Sequence, residues 1–474
     1  MTVVLNKRTD INLESFLRVS WQGERVRLGA KALERIAECR RSFLALLESD
    51  PELVVYGTTS GGGERARFRL TREEMDEQGR RPHRGSSSWG QPLPDRVVRG
   101  IVLARLANWI EGHGAVRPEL AEAVASLLDG EPLPEIPVRG NGGSGEVLAL
   151  GHLVDAIVAR ADGTELKEPM ELINGSPCAA ALVADAALAA RRRLALAHEV
   201  FALSAEAILA PLEAYSPPLA ELWGDEHEAA ALGALWRNLR GGAADRRPYQ
   251  APVSYRILPR VLGQAHRAVA GAEVAADVSL ASVSDNPVYV PPDDEHPFGQ
   301  SFSTGGYHNA MAYPALDNLA AAWADLCQLA ERQTERLLAT IETGDYSVMS
   351  GFYMVMVGWA EDARTAAQRT LLPLGGIGQN DTASPTFLAW RKEGEAGYCL
   401  EAALAGLAAL ASDELARSGR GPPAALASFL EHVRELFPTE GEPWARSGDA
   451  ARLHSAFTAR VFDPNADVAA AAAV

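Results

Sequence analysis

Residues 178–209, CAAALVADAALAARRRLALAHEVFALSAEAIL, contain neither glycine nor proline. Alanine and leucine dominate the run, so nothing local ends a helix, and its length exceeds the roughly 11–12 residues of an average globular helix. Its apolar residues recur at three- and four-residue spacing instead of alternating, which selects helix over strand. Residues 310–340 and 398–412 show the same apolar spacing, with a single proline, Pro314, and a single glycine, Gly406, between them. The expected class is therefore mainly α, a bundle of long helices around a large core.

The 474 residues are 47% hydrophobic and 23% charged, ordinary values for a globular chain. A net charge of −17 argues against nucleic acid or an anionic membrane as partner, because such surfaces repel an acidic protein. The one concentrated basic cluster, Arg191, Arg192 and Arg193, reads on a helix as a solvated face. The opening MTVVLNKRTDINLESF carries charge from Lys7 onward and lacks a signal-peptide apolar run, and no stretch reaches the ~20 uninterrupted apolar residues of a membrane span. Cys39, Cys178, Cys327 and Cys399 lack C-x-x-C spacing, so neither a disulfide framework nor a metal site is expected. A cytoplasmic protein is the expectation.

Glycine and proline gather in residues 56–63, 85–94, 137–145, 284–299 and 372–385. These loops are longer and richer in small polar residues than helix connections require, and sites commonly lie on such loops over a rigid scaffold. A boundary near residues 209–218 would separate a loop-rich N-terminal domain, 1–210, from a helical bundle, 211–474. The alanine-rich tail DVAAAAAV should fray.

The loop RGNGGSGE, residues 139–146, contains G-x-G-x-x-G at Gly140, Gly142 and Gly145. A dinucleotide loop needs a preceding strand, but PLPEIPV carries three prolines in seven residues. A P-loop needs lysine where Glu146 stands, and a nucleophile elbow needs glycine there. A structural turn and a chemical reading remain. In the second, the amide nitrogen of Gly145 attacks the carbonyl carbon of Gly143, and Ser144 eliminates its hydroxyl. The product would be a methylidene-imidazolone, an electrophile made from backbone.

Residues 142–153, GGSGEVLALGHL, resemble position by position the G-A-S-G-D-L-A-P-L-A-H-L context of the aromatic amino acid lyase family. That family includes histidine, phenylalanine and tyrosine ammonia-lyases and related aminomutases. Further resemblances follow in family order: VYGTTSGGG to Y-G-V-x-T-G-F-G, KEPMELINGS to K-E-G-L-A-L-I-N-G-T, ASVSDNPVYV to N-S-x-T-D-N-P, GGYHNA to G-N-F-H-G-Q and AERQTERLL to S-E-R-R-I-x-x-L. The resemblance implies an ammonia-lyase/fumarase-like helical bundle, assembled as a homotetramer whose sites draw residues from several subunits. It implies a 4-methylidene-imidazole-5-one formed from Gly143, Ser144 and Gly145, with Tyr56 as base and Asn174 beside it. YQAPVSYRILPRVLG is similar to Q-D-x-Y-S-x-R-x-x-P-Q-x-x-G, so Gln250 and Arg256 keep their places and Arg256 would hold the substrate carboxylate. Tyr307, His308 and Gln379 are the other substrate contacts implied.

Several positions depart from the family pattern. The triplet has Gly143 for alanine, and the loop before it is one residue short. The tyrosine of Q-D-x-Y-S falls on Val253, and Tyr255 stands two residues later. The Q-E-D-H of histidine lyases aligns with Gln379, Asn380, Asp381 and Thr382, which argues against histidine as substrate. HRGSSSWG, residues 83–90, stands where selectivity is set, and Arg84 could pair with a second acidic group on the substrate. The expected function is a divergent carbon–nitrogen lyase on a 2-amino acid other than histidine. The alternatives are a 2,3-aminomutase, a lyase or dehydratase-like enzyme on a polar non-aromatic substrate, and a lapsed paralogue acting as a binding partner.

Overall fold

A computed structural model of the chain describes residues 1–82, 87–130, 132–340, 346–376, 378–439 and 446–460. Its frame is five long helices: α1 (Pro177–Ala207), α2 (Leu258–Ala281), α3 (Ala312–Leu338), α4 (Tyr346–Ala366) and α5 (Thr386–Arg417). The three glycine- and proline-poor runs thus fall in α1, α3 and α5. Strands among the described residues are short. β1 (Thr2–Leu5) pairs in parallel with β2 (Arg25–Leu28), and β3 (Val288–Val290) pairs antiparallel with β4 (Gln300–Phe302). The mainly α class is observed.

Contacts group the chain into two compact units. One comprises residues 1–188, 272–316 and 370–390; the other comprises 189–271, 317–369 and 391–474. The grouping interleaves segments, whereas the sequence reading places a single cut near residue 210.

In the first unit, Val55 packs with Cys39, Phe43, Ala115 and Tyr289 beneath the loop that follows it. The Phe43 and Tyr289 rings meet edge-on at 5.5 Å, an arrangement worth about 1 kcal/mol beyond burial. Lys167 and Glu171 form a fully buried ion pair, and Lys167 Nζ also donates to the carbonyls of Gly114 (2.9 Å) and Pro287 (3.2 Å). Burial, and then the charge of Asp285, push the Glu171 carboxyl well above the usual carboxylate range. This cluster ties residues 168–173 to the loop before β3.

The second unit corrects the reading of the arginine cluster as a solvated face. Arg192 and Arg193 are buried, pairing with Glu401, and Arg193 also pairs with Glu393 at 2.6 Å. Trp323 Nε1 donates to the same Glu393 at 2.8 Å. A helix enclosed on several faces must pair its charges with carboxylates, because a lone buried guanidinium is too costly. His198 and His266 meet Nε2 to Nε2 at 2.8 Å, and burial pushes both well below the usual histidine range, His266 to about 4.

The segment Glu168–Ala207 is long and apolar enough to cross a membrane by composition, but its most apolar window is wholly buried within the protein. The helix is core, and the buried charge of Asp185 within it is tolerated because Arg96 pairs with that carboxylate at 2.7 Å.

Candidate active site

The glycine loop adopts backbone that only its glycines accept readily. Gly140, Gly143 and Gly145 have φ of +78°, +113° and +68°. Space is open around Gly143, with no atom within 4 Å of where a Cβ would stand. The family's alanine would fit sterically at 143 but not this backbone conformation. The Ser144 hydroxyl donates to the Thr382 carbonyl at 2.8 Å, and Ser384 N–H donates to the Gly143 carbonyl at 3.2 Å.

Glu146 anchors the loop's far side. Its carboxylate accepts from the amides of Cys178 (2.5 Å) and Ala179 (2.7 Å), free donors in the first turn of α1. Burial pushes its carboxyl up to about 7, opposed by those two amides and by the charge of Arg105. Arg105, also buried, donates to the Asn174 carbonyl.

Asn174 follows helix Glu168–Ile173. Its Nδ2 donates to the Asn286 carbonyl at 2.5 Å, and its Oδ1 lies 3.7 Å from where a Cβ on Gly145 would stand. The Tyr307 ring approaches the same point to 3.6 Å.

Tyr56 sits on a tight loop because Val55 accepts three amides, from Thr58, Thr59 and Ser60. The Thr59 hydroxyl braces the turn by donating to Leu53 and accepting from Val55 N–H, both at 2.7 Å. The chain returns over the ring, so that Gly63 N–H donates to Tyr56 Oη at 2.8 Å. Met170 rests on this loop, its Cε 2.6 Å and 2.8 Å from where Cβ atoms on Gly57 and Gly62 would be. Glycine at those two positions is what admits the methionine.

These residues open onto one cavity of about 1190 Å³ in the first unit. Its lining includes Tyr56, Gly143, Ser144, Asn174, Tyr307 and Gln379. Five residues scattered across the sequence, together with Gly143, are thereby brought together. Gly145 is buried immediately behind Ser144. His308 is half-buried, its amide bonded to Gly305. Arg84 lies outside the described residues.

Gln250 and Arg256 belong to the second unit, both exposed, with Arg256 Nε donating to the Ala251 carbonyl at 3.0 Å. Residues Val253–Arg256 form a helical turn instead of an extended segment, so Val253 and Tyr255 do not share a face. Val253 is 56% exposed, whereas Tyr255 is buried with its hydroxyl 3.2 Å from Ser204 Oγ. Tyr255 thus does not stand in for the tyrosine missing at 253. Sequence reasoning overlooked Glu146 and Arg105. Only Glu146, an acid directly after the triplet, carried a local signal.

The family model for aromatic amino acid lyase matches residues 11–165 and 163–344. A histidine ammonia-lyase from Deinococcus radiodurans is 30% identical over 360 residues, covering 69% of this chain and 67% of that protein. Two solved structures share the fold. Ergothionase from Treponema denticola superposes with a TM-score of 0.86 at 17% identity, covering 97% of this chain and 98% of that one. Tyrosine aminomutase from Streptomyces globisporus superposes with a TM-score of 0.84 at 22% identity, covering 100% and 98%. With matching motifs in order, a family match over most of the chain and a shared helical fold, the chain belongs to the aromatic amino acid lyase family and is an enzyme of the carbon–nitrogen lyase type.

Proposed function

We propose that this enzyme eliminates the amine from a 2-amino acid other than histidine, using a methylidene-imidazolone formed from Gly143, Ser144 and Gly145. The observation that carries the reading is the convergence of Tyr56, Ser144 and Asn174 on one cavity. The family is known for this prosthetic group, and the triplet here fits it. Two left-handed glycines flank the serine, the carbonyl to be attacked accepts a hydrogen bond from Ser384, and the hydroxyl to be lost is held by Thr382. The group supplies an electrophilic carbon, which no ordinary side chain offers.

The chain's own residues supply the rest. Tyr56, its phenol oxygen held by the Gly63 amide, takes the β-proton as general base. Asn174, fixed at its side chain by Asn286 and at its carbonyl by Arg105, holds polar donors and acceptors beside the triplet. Arg256 is assigned the substrate carboxylate by motif, and Gln250, Tyr307, His308 and Gln379 further substrate contacts. Asn380 and Thr382 stand where histidine lyases carry glutamate and histidine, which supports a substrate other than imidazole-bearing histidine. Domains 1–210 and 211–474 remain our proposed organisation.

We further propose a homotetramer working in the cytoplasm. Val274 and Val278 on α2, with Met354 and Val355 on α4, are exposed apolar residues that such an assembly would cover. All four cysteines are free and buried, as suits a reducing compartment.

The test combines intact mass with ammonia release from a panel of 2-amino acids including phenylalanine, tyrosine and histidine. A deficit of two waters is expected in the wild type and not in Ser144→Ala, together with ammonia release that Tyr56→Phe abolishes. An undiminished wild-type mass would overturn the prosthetic-group reading.

A further inference from the structure

The Tyr56 loop and the serine triplet both hydrogen-bond to one short hairpin, whose described residues are 373–376 and 378–383. Gly375 N–H donates to the Asp381 carbonyl at 2.7 Å, Ala383 N–H to Pro373 at 3.4 Å, and Leu374 pairs with Thr382 in an antiparallel bridge. A Cβ on Gly375 would overlap the Asn380 carbonyl, so this tight closure requires glycine.

The root of the hairpin holds the triplet. Thr382 takes the Ser144 hydroxyl and Ser384 donates to Gly143, after which Thr386 opens α5. Its tip holds the other loop. Gln379 N–H donates to Glu64 Oε1 at 3.1 Å, Gln379 Nε2 donates to the Gly63 carbonyl at 2.5 Å, and the Glu64 carboxylate lies where a Cβ on Gly378 would be.

The tip contacts matter because the first part of the Tyr56 loop is braced by its own turn, while the glycine run that follows has little of its own to order it. Gly61, Gly62 and Gly63 are consecutive, and such a run loses more conformational entropy on ordering than any other sequence. Gly63 has φ +57° and open space around it. Yet its amide is the group bonded to Tyr56 Oη, so whatever fixes Gly63 also fixes the base. Gln379 grips the carbonyl of that same glycine, and Glu64 is its neighbour.

We infer that this hairpin registers the base against the serine triplet, with Glu64 and Gln379 acting as positioning residues for Tyr56. The inference rests on Tyr56 being the base, and assigns Gln379 to the loop as well as to substrate. A hairpin rooted on the triplet and tipped on the base loop sets their separation through short links, and misplacement of a reacting group by about 1 Å can cost 10²-fold in rate.

The test uses full-length wild type, Glu64→Ala, Gln379→Leu and Glu64→Gln. Three readouts are taken: trypsin cleavage after Arg65 and Arg67, intact mass, and kcat and KM with whichever 2-amino acid of the panel is turned over. Cleavage is expected to accelerate several-fold in Glu64→Ala and Gln379→Leu, and kcat to fall about tenfold or more in both; KM should change little in Glu64→Ala, whereas Gln379→Leu also loses a proposed substrate contact and should raise KM as well. The two-water deficit should persist in both. Glu64→Gln should restore protection and kcat, because its amide oxygen can still accept from Gln379 N–H.

Unchanged cleavage and kcat in Glu64→Ala and Gln379→Leu would overturn the inference, as would a Glu64→Gln variant impaired like Glu64→Ala. Loss of the two-water deficit in these variants would also overturn it, since the hairpin tip would then govern folding of the triplet. If the wild type itself lacked the deficit, the prosthetic-group reading would fall, and the cleavage comparison would still decide whether the hairpin orders the Tyr56 loop.

Discussion

Glu146 gives stability a pH dependence of defined sign. Its carboxyl is buried against the first turn of α1 and is pushed from an ordinary 4.5 to about 7. A carboxyl whose folded value is raised contributes stability that is fully present below about pH 4.5 and is lost as pH rises through 7. At 1.36 kcal/mol per unit, the difference is about 3 kcal/mol. Cys178 beside it is also pushed up, so its thiol stays neutral across this window. The perturbation is Glu146→Gln, which cannot ionise. The variant leaves one amide of Cys178 or Ala179 less well bonded, an offset independent of pH, so the slope carries the test and not the level. Urea unfolding of both proteins at intervals from pH 5 to 8 should show the wild type losing about 2.5 kcal/mol of this relative to the variant. With slopes of about 1–3 kcal/mol per molar urea, the relative midpoint moves by about 1 M or more. Parallel pH profiles would refute the reasoning.

His266 should act in the opposite sense, since burial lowers it from 6.5 to about 4. Its contribution is present above pH 6.5 and lost as pH falls toward 4, about 3 kcal/mol in all, and His266→Leu should flatten the acid limb of the unfolding profile. Gly143→Ala is expected to cost about 1–3 kcal/mol, because φ of +113° strains any residue with a Cβ. Calorimetry reads this as a lowered Tm, and an unchanged Tm would show that the loop relaxes without strain. Arg193→Met removes the 2.6 Å pair to Glu393 and half of the cover over Glu401, at about 3–5 kcal/mol. A Tm equal to that of wild type would refute it.

The long helices were legible because their signal is local: alanine-rich runs poor in glycine and proline have few alternatives. The site was legible in part because Tyr56, Ser144 and Asn174 each stand in a distinctive motif, and one cavity unites them. The hairpin's grip on the triplet was not legible, because it is made by the Thr382 carbonyl and the Ser384 amide. Backbone groups are common to nearly all residues, so they leave no trace in sequence. Arg192 and Arg193 misled for a related reason. Their partners Glu393 and Glu401 lie about two hundred positions away, and a charged triplet looks the same whether water or carboxylate faces it. At Gly143 the sequence shows only a glycine in place of the family's alanine, and it takes the dihedral to show that the backbone demands glycine.

Glu146 also bears on how this loop could be moved between proteins. Residues 142–146 are wired to the Cys178 and Ala179 amides on one side and to Thr382 and Ser384 on the other. The triplet is thus no cassette. A graft into a relative that carries only the glycines and the serine would arrive with its carboxylate facing a foreign helix start and its hydroxyl facing a foreign turn. Three segments, near 142–146, 177–179 and 382–384, form the smallest transferable unit, and recombination breakpoints that separate them would break the loop while leaving every residue of it intact.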